Sequence, residues 1–217
     1  MVKILETVNL PFNDKGRDFA ISDLHGCYDE LMQKMRDVSF DKSLDRLFSS
    51  GDLVDRGDKS FECLKLIVEP WFYSVMGNHE KMMCQALLES DREYEGIWLM
   101  NGGEWYNETP LVELMEYVRE ASELPYSIKV GDGPNSYGFV HTDPCSDWND
   151  ITDPLIEDII LWGRNRVSQM SESLVKNIGT VYCGHTPRSE VVRLGNVVFI
   201  DTGACFSKGK LTMLEVG

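Results

Sequence analysis

Six side chains in this sequence, Asp23, His25, Asp52, Asn78, His141 and His185, are of the kinds that hold a hard or borderline divalent cation. Each sits in a short polar block after an apolar run. The blocks are Asp23-Leu24-His25-Gly26, Gly51-Asp52-Leu53-Val54-Asp55-Arg56-Gly57, Gly77-Asn78-His79-Glu80, His141-Thr142-Asp143 and Gly184-His185-Thr186-Pro187. The chain has four histidines, and all four stand in these blocks. Any one alone reads as a satisfied core histidine; the four together do not. Two ions about 3.5–4 Å apart need a bridging carboxylate, and Asp52, in the central block, is the natural one. Asp23 and His25, one residue apart, can both turn toward one ion from a strand end. Asn78 adds a neutral carbonyl oxygen, and His141 and His185 add imidazole nitrogens. This mixture suits two Mn2+, Fe or Zn ions, with Mn2+ first, better than Mg or Ca, which favour oxygen alone.

Such a site requires strands that end together. Arg17–Ser22, Asp45–Ser50 and Trp71–Met76 read as buried strands. Each is followed by a helical pattern, at Cys27–Val38, Lys59–Val68 and His79–Leu88. Repeated β-loop-α units predict parallel strands with right-handed crossovers and helices on the faces. In open α/β sheets ligands bind at the carboxyl ends of strands, where the blocks stand. Residues 91–123 read as mainly helical, with a helix at Pro110–Ala121. Further strands are expected at Val2–Leu10 on an edge, and at Tyr126–Val130 and Tyr137–His141 as a hairpin. Others are expected at Thr180–Cys183, Glu190–Leu194, Val197–Asp201 and Leu211–Val216, with Ile156–Trp162 a short helix or strand. The reading is one domain over residues 1–217, with an α/β core and a second, mixed or antiparallel sheet.

The formal net charge of −15 leaves no basic field for nucleic acid or anionic lipid. Six cysteines show no C-x-x-C spacing. The first seven residues lack the apolar core of a signal peptide, and no run approaches a membrane span. These features predict a reduced, cytoplasmic chain with free thiols.

The five blocks, in this order, resemble the signature set of the PPP-type serine/threonine protein phosphatases, nearest in pattern to the small phage-type members. Asn101-Gly102-Gly103-x-Trp105, Glu123-Leu124-Pro125 and Ile200-Asp201-Thr202-Gly203-Ala204 extend the likeness over most of the chain. The resemblance implies a calcineurin-like metallophosphoesterase β-sandwich of two mixed sheets flanked by helices, in the α/β class. By similarity, Asp23, His25 and Asp52 hold the first ion, and Asp52, Asn78, His141 and His185 the second. His79 is then the general acid that protonates the leaving alkoxide, with Asp55 hydrogen-bonded to it. Arg56 and Arg164 clamp the phosphate, beside Asn78. Planar, bidentate guanidinium donors match a phosphate dianion, and a metal-bridging hydroxide can attack phosphorus directly. No cysteine is then needed as nucleophile. The implied substrates are phosphoserine and phosphothreonine in proteins, with phosphotyrosine a further candidate, and the phage likeness implies action in a host cytoplasm.

The alternatives are a dinucleoside polyphosphate hydrolase and a broad phosphoesterase. Symmetrical diadenosine tetraphosphate hydrolases typically carry Ala where Asp55 stands and Asp where Glu80 stands, so both positions favour the phosphatase. A silent phosphoprotein-binding relative would be expected to have lost a ligand or the acid, and all are present. Cys27 and Cys183 read as packed thiols, and Trp71, Trp98, Trp105 and Trp162 as core. Asp143–Asp158, with six carboxylates and two prolines, reads as a solvated surface loop. Its place after His141 offers a second role, selection against acidic phosphopeptides.

Overall fold

Alternation along the strands builds two sheets face to face. In β2 (Asp18–Ile21), Phe19 and Ile21 face a helical layer, while Ala20 faces the opposite sheet. In β3 (Arg46–Ser49), Leu47 and Phe48 divide the same way. Both faces are covered, so these strands read as continuous apolar runs. The structure is a computed structural model describing residues 5–217. Its first sheet runs β10 (Met213–Val216), β2, β3, β4 (Phe72–Ser74), with β2, β3 and β4 parallel and β10 antiparallel.

The second sheet contains β1 (Thr7–Leu10), β5 (Ser127–Val130), β6 (Tyr137–Val140), β7 (Thr180–Cys183), β9 (Val197–Phe199) and β8 (Val192–Leu194), in that order. It is mixed. β5–β6 is the expected antiparallel hairpin, and β6, β7 and β9 run parallel. Of the expected edge strand Val2–Leu10, Thr7–Leu10 forms on the edge; residues 2–4 lie outside the described residues. Between the sheets Phe48 stacks on Phe139, with ring centroids 4.8 Å apart. This is the two-sheet α/β sandwich with flanking helices that the resemblance implies.

Helices α1 (Tyr28–Asp37), α2 (Ser60–Leu64, continued by a 3-10 turn to Val68), α3 (Asn78–Leu88), α4 (Arg92–Met100) and α5 (Leu111–Ser122) cover the first sheet. In α1, Leu31 and Met35 are buried four residues apart. Asp29 and Glu30 in its first turn, and Lys34 and Arg36 in its last, complement the helix dipole. Short α6 (Glu157–Trp162) and α7 (Asn165–Ser168) cover the second sheet. Among the described residues, no helix is long and apolar enough to cross a membrane.

The segment Asp143–Asp158 departs from the surface loop expected of it. Its carboxylate count hides a seam of packing: Trp148 and Ile151 are buried in the core under the second sheet, and Asp143 is buried too. The Asp143 carboxylate accepts the Arg166 backbone N–H at 2.9 Å, fixing the turn that presents Arg164. The acidic residues that do face solvent are Asp150, Asp153 and Asp158.

Candidate active site

Six strand ends meet at one edge of the sandwich. Asp23 follows β2, Asp52 follows β3 and Asn78 follows β4; His141, His185 and Asp201 follow β6, β7 and β9. All six residues are buried. The second half of the chain therefore completes a site begun by the first.

One donor cluster is Asp52, His141 and His185, and it reaches Asn78. His141 Nε2 lies 2.8 Å from Asn78 Oδ1, 3.1 Å from His185 Nδ1 and 3.4 Å from Asp52 Oδ1. Ligands at about 2.1 Å around one ion stand roughly 3 Å apart, so this spacing suits a coordination sphere. His141 Nδ1 faces the Ser50 carbonyl at 2.7 Å, which fixes the ring with Nε2 turned inward. The second cluster is His25, Asp52 and His79. His25 Nδ1 faces the Val54 carbonyl at 2.8 Å, and its Nε2 stands 3.6 Å from Asp52 Oδ2. Asp52 thus belongs to both clusters. Asp23 stands outside these two groupings; it accepts the His185 N–H at 2.9 Å and the Ser50 hydroxyl at 3.2 Å.

The electrostatics fit a cation. Burial lowers His79 and His141 to about 3, aided at His79 by the Arg56 charge, and His25 and His185 are lowered too, so the imidazoles are neutral donors. Burial, then neighbouring carboxylates, pushes Asp23 and Asp52 well above the carboxylate range. Asp201, close enough to Asp23 to raise it, is pushed up as well. Buried acids and neutral imidazoles with so little positive charge among them form a donor set that divalent ions would satisfy.

Around the clusters lie the other expected residues. Arg56 reaches His25 Nε2 with Nη1 at 2.5 Å and His79 Nε2 with Nη2 at 2.9 Å. The His25 lone pair cannot serve both guanidinium and metal, so an ion there requires Arg56 to turn outward, toward phosphate. His79 Nδ1 lies 2.5 Å from Asp55 Oδ2. Arg56, His79, Asn78, Arg164, Asp52 and His185 line one cavity of about 320 Å³. Arg166 does not join them; its guanidinium is held by the Ser171 and Ser173 carbonyls.

Three features escaped the sequence. The indole N–H groups of Trp98 (2.9 Å) and Trp105 (2.6 Å) both donate to Asp55 Oδ1. An indole nitrogen only donates, so Asp55 must accept. Both donors favour the carboxylate and offset part of the burial, which still pushes Asp55 up to about 7. The Asn101-Gly102-Gly103-x-Trp105 motif builds this support. The Gly102 carbonyl accepts the Arg56 N–H at 3.3 Å, and a Cβ on Gly102 would stand 2.8 Å from that nitrogen. Trp162, expected in the core, is instead 40% exposed and lines the cavity. Lastly, Glu80 accepts the backbone N–H groups of Asp52 (2.9 Å), Leu53 (2.8 Å), Val54 (3.3 Å) and Gly77 (3.1 Å), tying the β3 and β4 loops together.

The backbone here is unusual. His25, Asp52, Asp55, Arg56 and His185 all have φ between 40° and 75°, the left-handed region that side chains avoid. Cys27, Cys63, Cys145, Cys183 and Cys205 carry free thiols, and burial pushes each of them up, Cys27 and Cys145 to about 11, which disfavours the thiolate a nucleophile needs.

Replacing Trp105 by Phe keeps the ring and removes one donor to Asp55. The expected result is a kcat about tenfold lower, from the loss of one hydrogen bond to a charged group, with metal content unchanged. Steady-state kinetics beside metal analysis checks it.

Paired donor clusters sharing an aspartate, with arginines and an acid–base pair at the ends of sandwich strands, define a metallophosphoesterase. The chain belongs to the calcineurin-like phosphoesterase family, whose model matches residues 19–195. It is 31% identical over 204 residues to serine/threonine-protein phosphatase 2 of Salmonella typhimurium, covering 91% of this chain and 92% of that protein. Serine/threonine-protein phosphatase 1 of the same organism is 33% identical over 208 residues, covering 91% of each chain. A solved structure provisionally described as a diadenosine tetraphosphatase superposes with a TM-score of 0.65 at 22% identity, covering 98% of this chain and 99% of its own. The activity class is therefore phosphoester hydrolysis, and the family works with a dinuclear metal centre.

Proposed function

We propose that this chain is a protein phosphatase that hydrolyses phosphoserine and phosphothreonine in phosphoproteins, with phosphotyrosine a further candidate substrate. The observation that carries the reading is that Asp52, Asn78 and His185 line one cavity with His79, Arg56 and Arg164, while His25, His141 and Asp55 contact these lining residues from behind. Its similarity to two bacterial protein phosphatases over nine-tenths of the chain supports the substrate class.

In this reading Asp23, His25 and Asp52 hold one divalent ion, and Asp52, Asn78, His141 and His185 hold another, with Mn2+ preferred. When bound, the pair supplies Lewis-acid charge and a water acidic enough to attack at neutral pH. The chain's own residues do the rest. Arg56 and Arg164 bind the phosphate oxygens from the cavity wall, as planar donors suited to a dianion. Once Arg56 turns to phosphate, its charge no longer faces Nε2 of His79, and the ring can take up from water the proton that Nε2 then passes to the departing alkoxide. Asp55, held by the two indoles, orients that ring through Nδ1 and stabilises the imidazolium.

Matched phosphoserine, phosphothreonine and phosphotyrosine peptides, assayed beside diadenosine tetraphosphate with Mn2+ and again after chelation, test the proposal. Peptide hydrolysis that requires metal and exceeds nucleotide hydrolysis is expected. Faster turnover of the nucleotide than of every peptide would overturn it, and full activity in excess chelator would remove the ions.

A further inference from the structure

The short helix α6 is apolar on both sides. Ile160 and Leu161 point into the core. On the outer side Leu155, in the 3-10 turn that leads into the helix, is 87% exposed, Ile159 is 45% exposed and Trp162 is 40% exposed. Ile159 and Trp162, three residues apart, share the outer face of α6, and Leu155 precedes them in the turn that leads into it. A surface helix ordinarily turns polar residues to water, so this row has no folding role. It ends in the cavity, because Trp162 lines the wall shared by Arg164 and His79. Phe206, 51% exposed, stands on the same cavity, its ring 5.9 Å from the Arg56 guanidinium. The catalytic cavity is polar inside and apolar at its rim.

Charge narrows the occupant. Asp153 and Asp158, next to the row in sequence, and Asp150 in the preceding 3-10 turn are exposed to solvent. Glu157 is turned the other way, 2.7 Å from Lys81 Nζ and 2.5 Å from the Tyr126 hydroxyl. An acidic or polyphosphate ligand would be repelled along this path, whereas apolar side chains with neutral or basic neighbours match it.

We propose that the Leu155–Ile159–Trp162 ridge is the docking surface for the polypeptide flanking the phosphorylated residue, and that it selects apolar and rejects acidic side chains there. This inference rests on the protein phosphatase reading. At about 1.5 Å per residue the ridge extends roughly 10 Å from Trp162, the span of about three residues of extended chain. The selected side chains therefore lie about two to four residues from the phosphorylated one.

The test compares three phosphoserine peptides, with leucine, glutamine or glutamate at those flanking positions, and p-nitrophenyl phosphate as a substrate that cannot touch the ridge. Wild-type enzyme is compared with the double variant Leu155→Ser, Ile159→Ser. Both positions are exposed and outside the catalytic cavity, so activity on p-nitrophenyl phosphate also reports correct folding. Wild type should prefer the leucine peptide by about tenfold in kcat/KM, as burial of one or two apolar side chains predicts. The variant should lose that preference while its rate on p-nitrophenyl phosphate changes by less than about twofold, since small esters make no ridge contact. Equal wild-type rates on all three peptides, or a preference that survives in the variant, would overturn the ridge alone. Activity on p-nitrophenyl phosphate with none on any phosphopeptide would overturn the protein phosphatase reading, and the ridge with it.

Discussion

Replacing His79 by Asn is expected to lower kcat by about 10²–10⁴-fold, the range for a lost general acid, with metal content unchanged. His79 reaches Asp55 through Nδ1 at 2.5 Å, and its Nε2 meets Arg56 Nη2 at 2.9 Å on the cavity wall. A shorter amide keeps polarity but cannot carry the proton. The loss should depend on the leaving group. An alkyl phosphate expels a strongly basic alkoxide and needs the acid, whereas p-nitrophenolate leaves with little help. The variant should therefore lose much more on phosphoserine than on p-nitrophenyl phosphate, and an equal loss on both would remove His79 from leaving-group protonation. Metal analysis decides a second question. His79 Nε2 lies 3.9 Å from Asp52 Oδ2 and falls in a donor cluster with His25. If the variant lost one equivalent of metal, His79 would be a ligand and not the acid.

The second large effect is on stability. Glu80→Ala would leave four buried backbone N–H groups, those of Asp52, Leu53, Val54 and Gly77, without their acceptor. Several orphaned donors together cost about 3–5 kcal/mol. At about 2–4 °C per kcal/mol for a chain of this size, Tm should fall by roughly 10 °C. Metal affinity should fall too, because the released loop carries Asp52, the aspartate shared by both clusters. Glu80→Asp retains the charge on a shorter stem and should lie between. Thermal unfolding with and without Mn2+ measures both effects, and a Tm within 2–3 °C of wild type would mean that water replaces the carboxylate, at about the cost of one hydrogen bond.

The residues with cation-binding chemistry were legible because their types are scarce and their places regular. His25, His141 and His185 announce themselves as histidines after apolar runs, and Asp52 and Asn78 follow glycines at strand ends. The strands were legible because burial on both faces leaves unbroken apolar stretches, as in Phe19–Ile21. What could not be read depends on distance in sequence. Trp98 and Trp105 lie 43 and 50 residues from Asp55, and an indole scores as apolar whether or not its N–H finds a carboxylate. Trp162 failed for the same reason in reverse, since its size suggested the core and its position on α6 turns it outward. The segment Asp143–Asp158 misled because charge counting weighs every carboxylate alike, while Trp148 and Ile151 drag the segment inward. Glu80 reads in the sequence as a mark of kinship, but its reach to two loops is visible only in three dimensions.

Five residues of the site hold left-handed backbone angles, and the other non-glycine residues that do so among the described residues, Ser39, Ser90, Met170 and Asn177, lie elsewhere. Aspartate and histidine tolerate this region better than most side chains, so the five together cost about a few kcal/mol, still a sizeable share of the net stability of a typical domain. Glycine would relieve each, but glycine cannot present an imidazole, a carboxylate or a guanidinium. Evolution can therefore lower this burden only by abandoning the chemistry, whereas Ser39 and Met170 carry the same cost with nothing at stake. The molecule has room to become hardier, and that room lies entirely away from its reactive edge.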